Sequence, residues 1–145
     1  MFLGQYEHTI DEKGRMTIPS RFREQLEGGA VITRGFDQNL IVLTTESFDL
    51  ISQRVNQISM TDPAARLLRR LIFSNAAEVE FDRNGRILIQ AYLRNGVNLN
   101  GSAIVVGVGD HFEIWAPELW QQQTALLEDG ETNAKRFAAL NLPIQ

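Results

Sequence analysis

The sequence predicts a mainly β protein with short helices, of the α+β class, in which two tandem copies of one small unit form a single fold. Two observations predict it. A segment of the first half recurs 71 positions later, and short apolar runs bounded by turn residues recur within each copy. Because a unit of about 45 residues is too small to bury its apolar faces alone, we expect the copies to pack together around a pseudo-twofold axis. The longer helices should lie outside.

The duplication is clearest around two turns. Residues 10–23 and residues 81–94 share one order: an apolar residue, Asp, two polar residues, Gly and Arg, then apolar residues, an aromatic residue and a final basic residue. The later predicted elements also correspond in order: strands 30–35 and 103–107, strands 40–44 and 112–115, and helices that start near residues 45 and 117. A match of this length in unchanged order indicates an internal repeat.

The residue types in each turn suit a β hairpin. Gly14 and Gly85 can adopt positive φ without a Cβ penalty. Asp11 and Asp82 can accept hydrogen bonds from backbone amides two residues further on. Since short β-type runs flank each turn, we expect a local hairpin in each copy, with these four residues forming the turn.

Helix signals follow each hairpin and connect the copies. Pro19 suits the first turn of a short helix, and Thr45 is predicted as the N-cap of a longer one. Asp62 and Pro63 supply the cap and the first position of a linking helix that ends near residue 73. Its predicted buried face consists of four aliphatic side chains: Leu67, Leu68, Leu71 and Ile72.

Composition excludes several classes of protein. The 145 residues include no cysteine, which rules out a disulfide scaffold, thiolate metal sites and a cysteine nucleophile. No apolar run reaches the roughly 18 residues that suggest a membrane span, and residues 1–10 lack the pattern of a signal peptide. We therefore expect a cytoplasmic protein without membrane association.

The formal net charge of −4 opposes simple nucleic-acid binding, but the charge is unevenly distributed. Residues 99–145 carry an excess of −4, whereas residues 1–98 are neutral overall. Local basic segments remain, because residues 11–23 sum to +2 and residues 66–94 to +3. The net charge thus weakens the case for a nucleic-acid partner without excluding one.

Enzyme and metal sites find little support in the sequence. His8 and His111 have no neighbour at a metal-ligand spacing, so we expect surface residues and no metal site. The two repeated aspartates lack the small hydroxyl residue and Gly that follow each Asp of an aspartic-protease dyad. The glycines near residues 107–109 lack the Gly-Lys-Ser/Thr of a phosphate loop and are interpreted as a tight strand connection. We expect no enzyme activity, no cofactor and no small-molecule substrate.

Taken together, the motifs resemble the MraZ family. The residues that carry the resemblance are Met1-Phe2-Leu3-Gly4, Asp11-Glu12-Lys13-Gly14-Arg15, Ile18-Pro19, Arg66-Leu67-Leu68-Arg69-Arg70 and Asp82-Arg83-Asn84-Gly85-Arg86. The resemblance implies two SpoVT-AbrB-type domains that form a swapped-hairpin β-barrel, rings of subunits, and sequence-specific binding to promoter repeats. The predicted parts are domain 1 at residues 5–47, a linking helix at 60–75, domain 2 at 76–119 and a polar tail at 130–145.

The resemblance also implies which residues contact DNA. Carried over to this sequence, Arg15 and Arg86 are the expected contacts, since the planar fork of arginine can grip a phosphate or a guanine edge. Lys13 adds positive charge to the first turn. The matching position of the second turn holds Asn84, and Arg83 supplies its extra charge from another position. The first turn is therefore expected to bind DNA more strongly than the second.

Other arginines remain open between two interpretations. Arg21 and Arg23, with Arg94 in the second copy, follow the short helices and either contact phosphates beside the turns or lie on a solvated helix face. The arginines of the linking helix more often cover apolar surface or pair with acids at a subunit boundary: Arg66, Arg69 and Arg70.

The sequence therefore favours a transcriptional regulator that binds double-stranded DNA as a homo-oligomeric ring. Through the resemblance we expect a repressor, associated with the nucleoid, of a division and cell-wall gene cluster that includes its own gene. A ring would raise avidity where one chain offers only a few phosphate contacts. Two alternatives stay open: an antitoxin-like AbrB-fold protein, and an oligomeric scaffold that binds protein, as the pI of about 5.2 could suggest.

Overall fold

The computed structural model describes residues 1–143. The strands are β1 Gln5–Thr9, β2 Arg15–Thr17, β3 Ala30–Arg34, β4 Leu40–Thr44, β5 Ala77–Glu78, β6 Arg86–Leu88, β7 Ser102–Gly107 and β8 Phe112–Trp115. The helices are α1 Ser20–Gln25, α2 Thr45–Gln57, α3 Pro63–Ser74, α4 Ala91–Gly96, α5 Pro117–Leu126 and α6 Gly130–Phe137, followed by a 3₁₀ turn, Ala138–Leu140. The predicted class, mainly β with several short helices, is confirmed.

Strand pairing relates the two copies by a pseudo-twofold axis. The larger sheet has the order β1-β7-β8-β4-β3-β5, and β2 pairs with β6 in a second, two-stranded sheet. Strands β4 and β8 lie at the centre of the larger sheet, and their register places Leu40 opposite Ile114 and Val42 opposite Phe112. Since these are matching positions of the repeat, exchanging the copies reproduces the register. Within residues 1–143 the strands form these two sheets and no closed barrel.

The expectation of a local hairpin in each copy is wrong in its strand pairing. Both turns form, but β1 pairs with β7 and β2 pairs with β6, so each strand finds its partner in the other copy. Within the first copy, a single bridge between Ile10 and Met16 joins the two flanking segments. Pairing across the copies lets the apolar faces of both units close one core, which a hairpin within one unit could not do.

The core lies between the sheets and the two short helices. Met16 and Ile87, on the inner face of the two-stranded sheet, are almost fully buried. From α1, Phe22 packs edge-on against Phe2 at a ring separation of 5.1 Å and lies 5.0 Å from the Phe112 ring. Leu93 enters the core from α4 at the position that matches Phe22. The helices α1 and α4 therefore seal the core beside the two turns.

The linking helix forms as predicted but faces the sheet with a different stripe. Asp62 caps it by accepting a hydrogen bond from the Ala64 amide, and Pro63 takes the first position. Leu67, predicted to be buried, is 64% exposed, whereas Ala65 and Ile72 are buried. The helix is rotated because it docks over β3, where the Thr33 hydroxyl donates to the Ile72 carbonyl at 2.6 Å.

The ends of α2 are satisfied by side chains from outside the helix. Thr44, one residue before the predicted cap, accepts a hydrogen bond from the Ser47 amide. At the other end, Arg69 of α3 donates to the carbonyls of Asn56 at 2.9 Å and Ile58 at 3.2 Å. Arg69 thus joins two helices through backbone carbonyls, a role that was not expected from the sequence.

The predicted polar tail contains helix α6, and its last two residues lie outside the described part of the chain. No helix within residues 1–143 combines the length and apolar character that a membrane crossing needs.

Candidate nucleic-acid interface

The first turn is organised by one carboxylate. Asp11 Oδ1 accepts hydrogen bonds from the amides of Lys13 at 3.0 Å and Arg15 at 2.9 Å, and the Gly14 amide closes the turn onto the Asp11 carbonyl at 2.9 Å. Gly14 takes a φ of 87°, which an L side chain rarely adopts. The turn therefore depends on the residue types that the sequence supplies at these positions.

The second turn repeats this geometry. Asp82 Oδ1 accepts from the amides of Asn84 at 2.8 Å and Arg86 at 3.0 Å, and Gly85 closes the turn with a φ of 73°. The structural roles of the two aspartates and two glycines are thus the same in both copies. The chemical difference between the turns lies in the side chains at their tips, where Lys13 and Arg83 are both exposed but occupy different positions.

Both turns lie on one side of the molecule because β2 and β6 are neighbours. The Ile89 amide donates to the Gly14 carbonyl at 2.8 Å, and the Ile18 amide donates to the Gly85 carbonyl at 3.1 Å, so each turn is tied to the strand of the other copy. Met16 and Ile87 face the core, and the alternation of a strand turns their neighbours outward. The outward residues form a small platform: Arg15, Thr17, Arg86 and Leu88.

Two members of this platform were missed at the sequence level. Thr17 and Leu88 occupy matching positions of the repeat, and both are exposed, Leu88 to 58%. Strict alternation from the buried Met16 and Ile87 could have identified them. They make the two halves of the platform unequal, one with a hydroxyl and one with an isobutyl group.

The arginines of the platform are held through one nitrogen each. Arg15 Nε donates to Asp11 Oδ2 at 2.8 Å, and Arg86 Nε donates to Asp82 Oδ2 at 2.8 Å. Among the described residues, the Nη groups of both arginines make no hydrogen bond, so each fork keeps donors free. The carboxylates therefore position the guanidinium groups without consuming the face that could bind a ligand.

The two arginines differ in their electrostatic surroundings. Arg86 Nη1 lies 3.7 Å from Asp11 Oδ2, so Arg86 interacts with the carboxylates of both turns, whereas Arg15 interacts with Asp11. The Arg86 side chain is also less exposed, 28% against 37% for Arg15. More of the charge of Arg86 is neutralised within the protein, which leaves Arg15 the stronger donor to an external anion.

Hydrogen bonding shifts the acidity of both turn carboxylates. The backbone amide of Arg15, with its guanidinium and the Lys13 amide, lowers the pKa of Asp11. The Arg86 amide, followed by the Asn84 amide and the Arg86 side chain, does the same for the pKa of Asp82. Ionised carboxylates accept these bonds better than neutral ones, so both turns are built around negative charge.

We expect Asp82→Asn to remove the part of the folding stability that depends on ionisation of the Asp82 carboxyl. A folded-state pKa below the unfolded value adds stability that is fully present above the unfolded pKa, near 4, and is lost as the pH falls through the folded pKa. The variant should therefore unfold at lower urea concentration than the parent at pH 7, and the difference should shrink below about pH 4. Urea midpoints measured from about pH 2.5 to 7 check this. A difference that stays constant with pH would contradict the linkage.

Two further arginines hold the turns across the pseudo-twofold axis. Arg94 Nε donates to the Ile89 carbonyl at 2.8 Å, and its guanidinium lies over Gly14, where a Cβ would come within 2.9 Å of Nε. In the matching arrangement, Arg23 Nη1 donates to the Ile18 carbonyl at 2.8 Å and its guanidinium lies against Gly85. Each arginine thus supports the turn of the other copy, so Arg23 has a packing role besides its predicted place among the DNA contacts.

Replacing either arginine should loosen one turn selectively. We expect Arg94→Met to cost about 1.5–3 kcal/mol, the range for a hydrogen bond that involves a charged group, and to speed amide exchange at Gly14. Arg23→Met should have the matching effect at Gly85. Native-state hydrogen exchange of both variants measures this, each serving as the control for the other. Equal loosening of both turns by both variants would show that the contacts are not turn-specific.

The remaining predicted residues lie around the platform. Arg21 is exposed on α1, beside an open groove that also borders Gln5 and His8 of β1. His8 is half-buried rather than on the surface as expected, and burial lowers its pKa. His111 Nδ1 lies 2.6 Å from Asp110 Oδ1 at the far end of the sheet. Within residues 1–143, no cluster of three or more His, Asp or Glu side chains could hold a metal ion.

A duplicated β fold with paired arginine turns on one face defines a class of small two-repeat β proteins, and comparisons with known proteins identify the family. The model of the family described as "MraZ protein, putative antitoxin-like" matches twice, at residues 1–71 and 72–141. Three similar curated proteins, each named transcriptional regulator MraZ, come from different bacteria.

Their similarity extends over most or nearly all of the chain. The relative from Thermomicrobium roseum is 47% identical over 97% of this chain and 99% of its own length. The relative from Roseiflexus sp. (strain RS-1) is 46% identical over 95% and 94%, and that from Carboxydothermus hydrogenoformans is 42% identical over 83% and 84%. The chain belongs to the MraZ family of transcriptional regulators, which is not a class of enzymes.

Proposed function

We propose that the chain represses transcription by binding double-stranded DNA at short promoter repeats, as a ring-like homo-oligomer. On the family resemblance, the repeats lie upstream of a division and cell-wall gene cluster that includes its own gene, so the protein acts in the cytoplasm at the nucleoid. The units that bind are the predicted domains at residues 5–47 and 76–119. No cofactor or small-molecule substrate takes part.

The observation that carries the proposal is the way in which the guanidinium groups of Arg15 and Arg86 are held. Each guanidinium is fixed through Nε by an aspartate of its own turn. Within residues 1–143 its Nη groups donate no hydrogen bond, although Arg86 Nη1 lies 3.7 Å from Asp11 Oδ2. An arginine held in this way loses little further side-chain entropy when it binds a phosphate or the O6 and N7 atoms of guanine. Preorganised donors on adjacent strands suit the edge of one DNA groove.

The other exposed cations give the platform a basic border. Lys13 and Arg83 stand at the turn tips, and Arg21 is exposed on the neighbouring helix α1. These side chains are placed to contact phosphates, which set position rather than sequence. Arg23 can join them only through the part of its side chain not used against Gly85. Leu88 offers an apolar contact of the kind that recognises a thymine methyl group.

Assembly explains how so few contacts suffice. A single chain offers a small number of phosphate contacts, which gives weak and strongly salt-dependent binding. Several linked chains that engage successive repeats gain avidity without any new contact. The acidic residues 99–145 would face away from DNA and orient the approach of the basic platform.

Footprinting on the DNA just upstream of the protein's own gene tests the proposal. We expect protection of short direct repeats at low salt, one repeat for each engaged subunit, and loss of protection as salt rises. Absence of protection at low salt, together with no retention on heparin, would favour the protein-binding scaffold instead.

An antitoxin role is the second candidate, because the description of the matching family includes a likeness to antitoxins. Such a protein would bind DNA through the same platform and also neutralise a partner toxin. A gene for a small toxin beside that of this chain, with a stable complex of the two proteins, would favour it. The duplicated fold favours the regulator.

A further inference from the structure

An apolar groove lies on the outer face of the larger sheet, away from the platform. It has a volume of about 540 Å³ and runs between α2, α3 and the central strands β4 and β8. Its lining is mostly apolar, and its principal members are Ile41, Leu43, Phe48, Ile51, Leu68 and Ile72. Two further lining residues, Phe36 and Leu50, are 77% and 60% exposed. Large apolar side chains that are exposed together in one groove make it a candidate for an interaction site.

The polar residues of the groove give it an acidic character. Asp37, Asp110 and Glu113 line it together with Arg34 and His111, so three carboxylates face one permanent cation. A fitting occupant therefore combines large apolar side chains with positive charge.

The C-terminal segment, Gly130–Leu142, has this chemistry. Lys135 and Arg136 directly precede Phe137, and the exposed apolar residues of the segment are Phe137 at 38%, Leu140 at 66% and Leu142 at 58%. Helix α6, which the structure describes in full, has no buried residue. Within residues 1–143, the segment presents an apolar side that no other part of the chain covers.

Its contacts leave that side available to another molecule. Asn133 Nδ2 donates to the Leu127 carbonyl at 2.9 Å, and Arg136 Nη1 donates to the Leu126 carbonyl at 3.0 Å, so the segment is fixed to the end of α5. In the first copy of the repeat, the helix in the corresponding place, α3, packs over β3. In the second copy, α6 is instead held by the end of α5.

We propose that the C-terminal segment of one subunit docks into the apolar groove of a second copy of this chain. Phe137 and the two leucines fill the groove, and the basic pair lies against its carboxylates. Because the two surfaces differ, the contact is head-to-tail, and repetition of a head-to-tail contact closes into a ring when the rotation allows it. This inference rests on the assembly part of the proposed function and names the surfaces that build it.

Two double variants separate the two sides of this contact. Phe137→Glu with Leu140→Glu removes the apolar side of the segment, and Phe36→Glu with Leu50→Glu places charge in the groove. All four positions are exposed, so the fold should persist, as circular dichroism and thermal unfolding would verify. Leu67→Glu is the matched control, since Leu67 is 64% exposed on α3 but does not line the groove.

Light scattering coupled to size-exclusion chromatography gives the outcome. We expect the parent and Leu67→Glu to elute as the same oligomer and each double variant as a monomer. An equal mixture of the two double variants should give a 1:1 pair, because one intact segment and one intact groove remain. A monomeric parent, a double variant with the parental mass, or a mixture that stays monomeric would each overturn the proposal.

The failure of this proposal is distinguishable from failure of DNA binding. A monomeric double variant keeps its platform, so it should still bind promoter DNA, with affinity lowered at least about tenfold because avidity is absent. Footprinting of the parent reports on the platform whatever the mass measurements give.

Discussion

Arg15→Ala in every subunit is expected to abolish detectable binding to promoter DNA at physiological salt, while Arg86→Ala leaves weak binding. A good bidentate arginine contact is worth about 1–3 kcal/mol, and its removal is repeated in each engaged subunit of an assembly. The effects differ because Arg86 shares its charge with two carboxylates and Arg15 with one. Gel shifts at constant ionic strength measure both variants against the parent.

Arg54→Ala is the matched control for the removal of one positive charge. Arg54 is exposed in the last turn of α2, on an element that is not part of the platform. Its replacement should change affinity by less than about twofold, the expectation for a distant and screened charge. Parental binding by Arg15→Ala, or equal weakening in all three variants, would contradict the assignment of Arg15.

Gly14→Ala should be the most damaging of the small substitutions in the turns. An L residue at a φ of 87° is strained, and the added Cβ would come within 2.6 Å of the Ile89 carbonyl oxygen and 2.9 Å of Arg94 Nε. Strain of this kind costs about 1–2 kcal/mol, and overpacking adds about 1–3 kcal/mol. Because the backbone carbonyl of the other copy cannot move freely, the turn should shift and DNA affinity should fall with stability.

Gly101→Ala separates strain from collision. Gly101 has a similar φ of 80°, but a Cβ there meets no atom within 4 Å. We expect it to lose about 1–2 kcal/mol and to keep parental DNA affinity. Urea unfolding and gel shifts on both variants make the comparison, and equal destabilisation by the two would show that the close approach at Gly14 contributes nothing.

Local features of the fold followed from the sequence because their causes are local. Asp11 binds amides two and four residues further on, and Asp62 with Pro63 starts α3, so short stretches of sequence contain the whole interaction. The repeat added the expectation of a pseudo-twofold packing, which the pairing of β4 with β8 confirms.

Long-range features could not be predicted from such stretches. The partner of β1 is decided by which pairing closes a common core, and β7 supplies it from the other copy. The stripe of α3 that faces the sheet is Ala65, Leu68 and Ile72, spaced for one helix face, but hydrophobicity alone favoured the larger Leu67.

The sequence predicted the candidate site only in part, because some of its contacts are local and others depend on the tertiary structure. Arg15 and Arg86 follow from the repeated turn, and the structure places both on one platform. The packing of Arg23 and Arg94 against glycines of the opposite copy depends on tertiary structure that no local pattern contains. The role of all four arginines as DNA contacts stays a prediction.

The salt dependence of DNA binding tests the central claim most directly. The affinities of the parent and of the double variant Arg15→Ala with Arg86→Ala are measured on promoter DNA over a range of salt concentrations. The proposal predicts a steep slope for the parent, and a slope for the variant that is smaller by about 0.9 for each phosphate that the variant no longer neutralises. Identical slopes and affinities for the two proteins would show that the paired turns do not bind DNA.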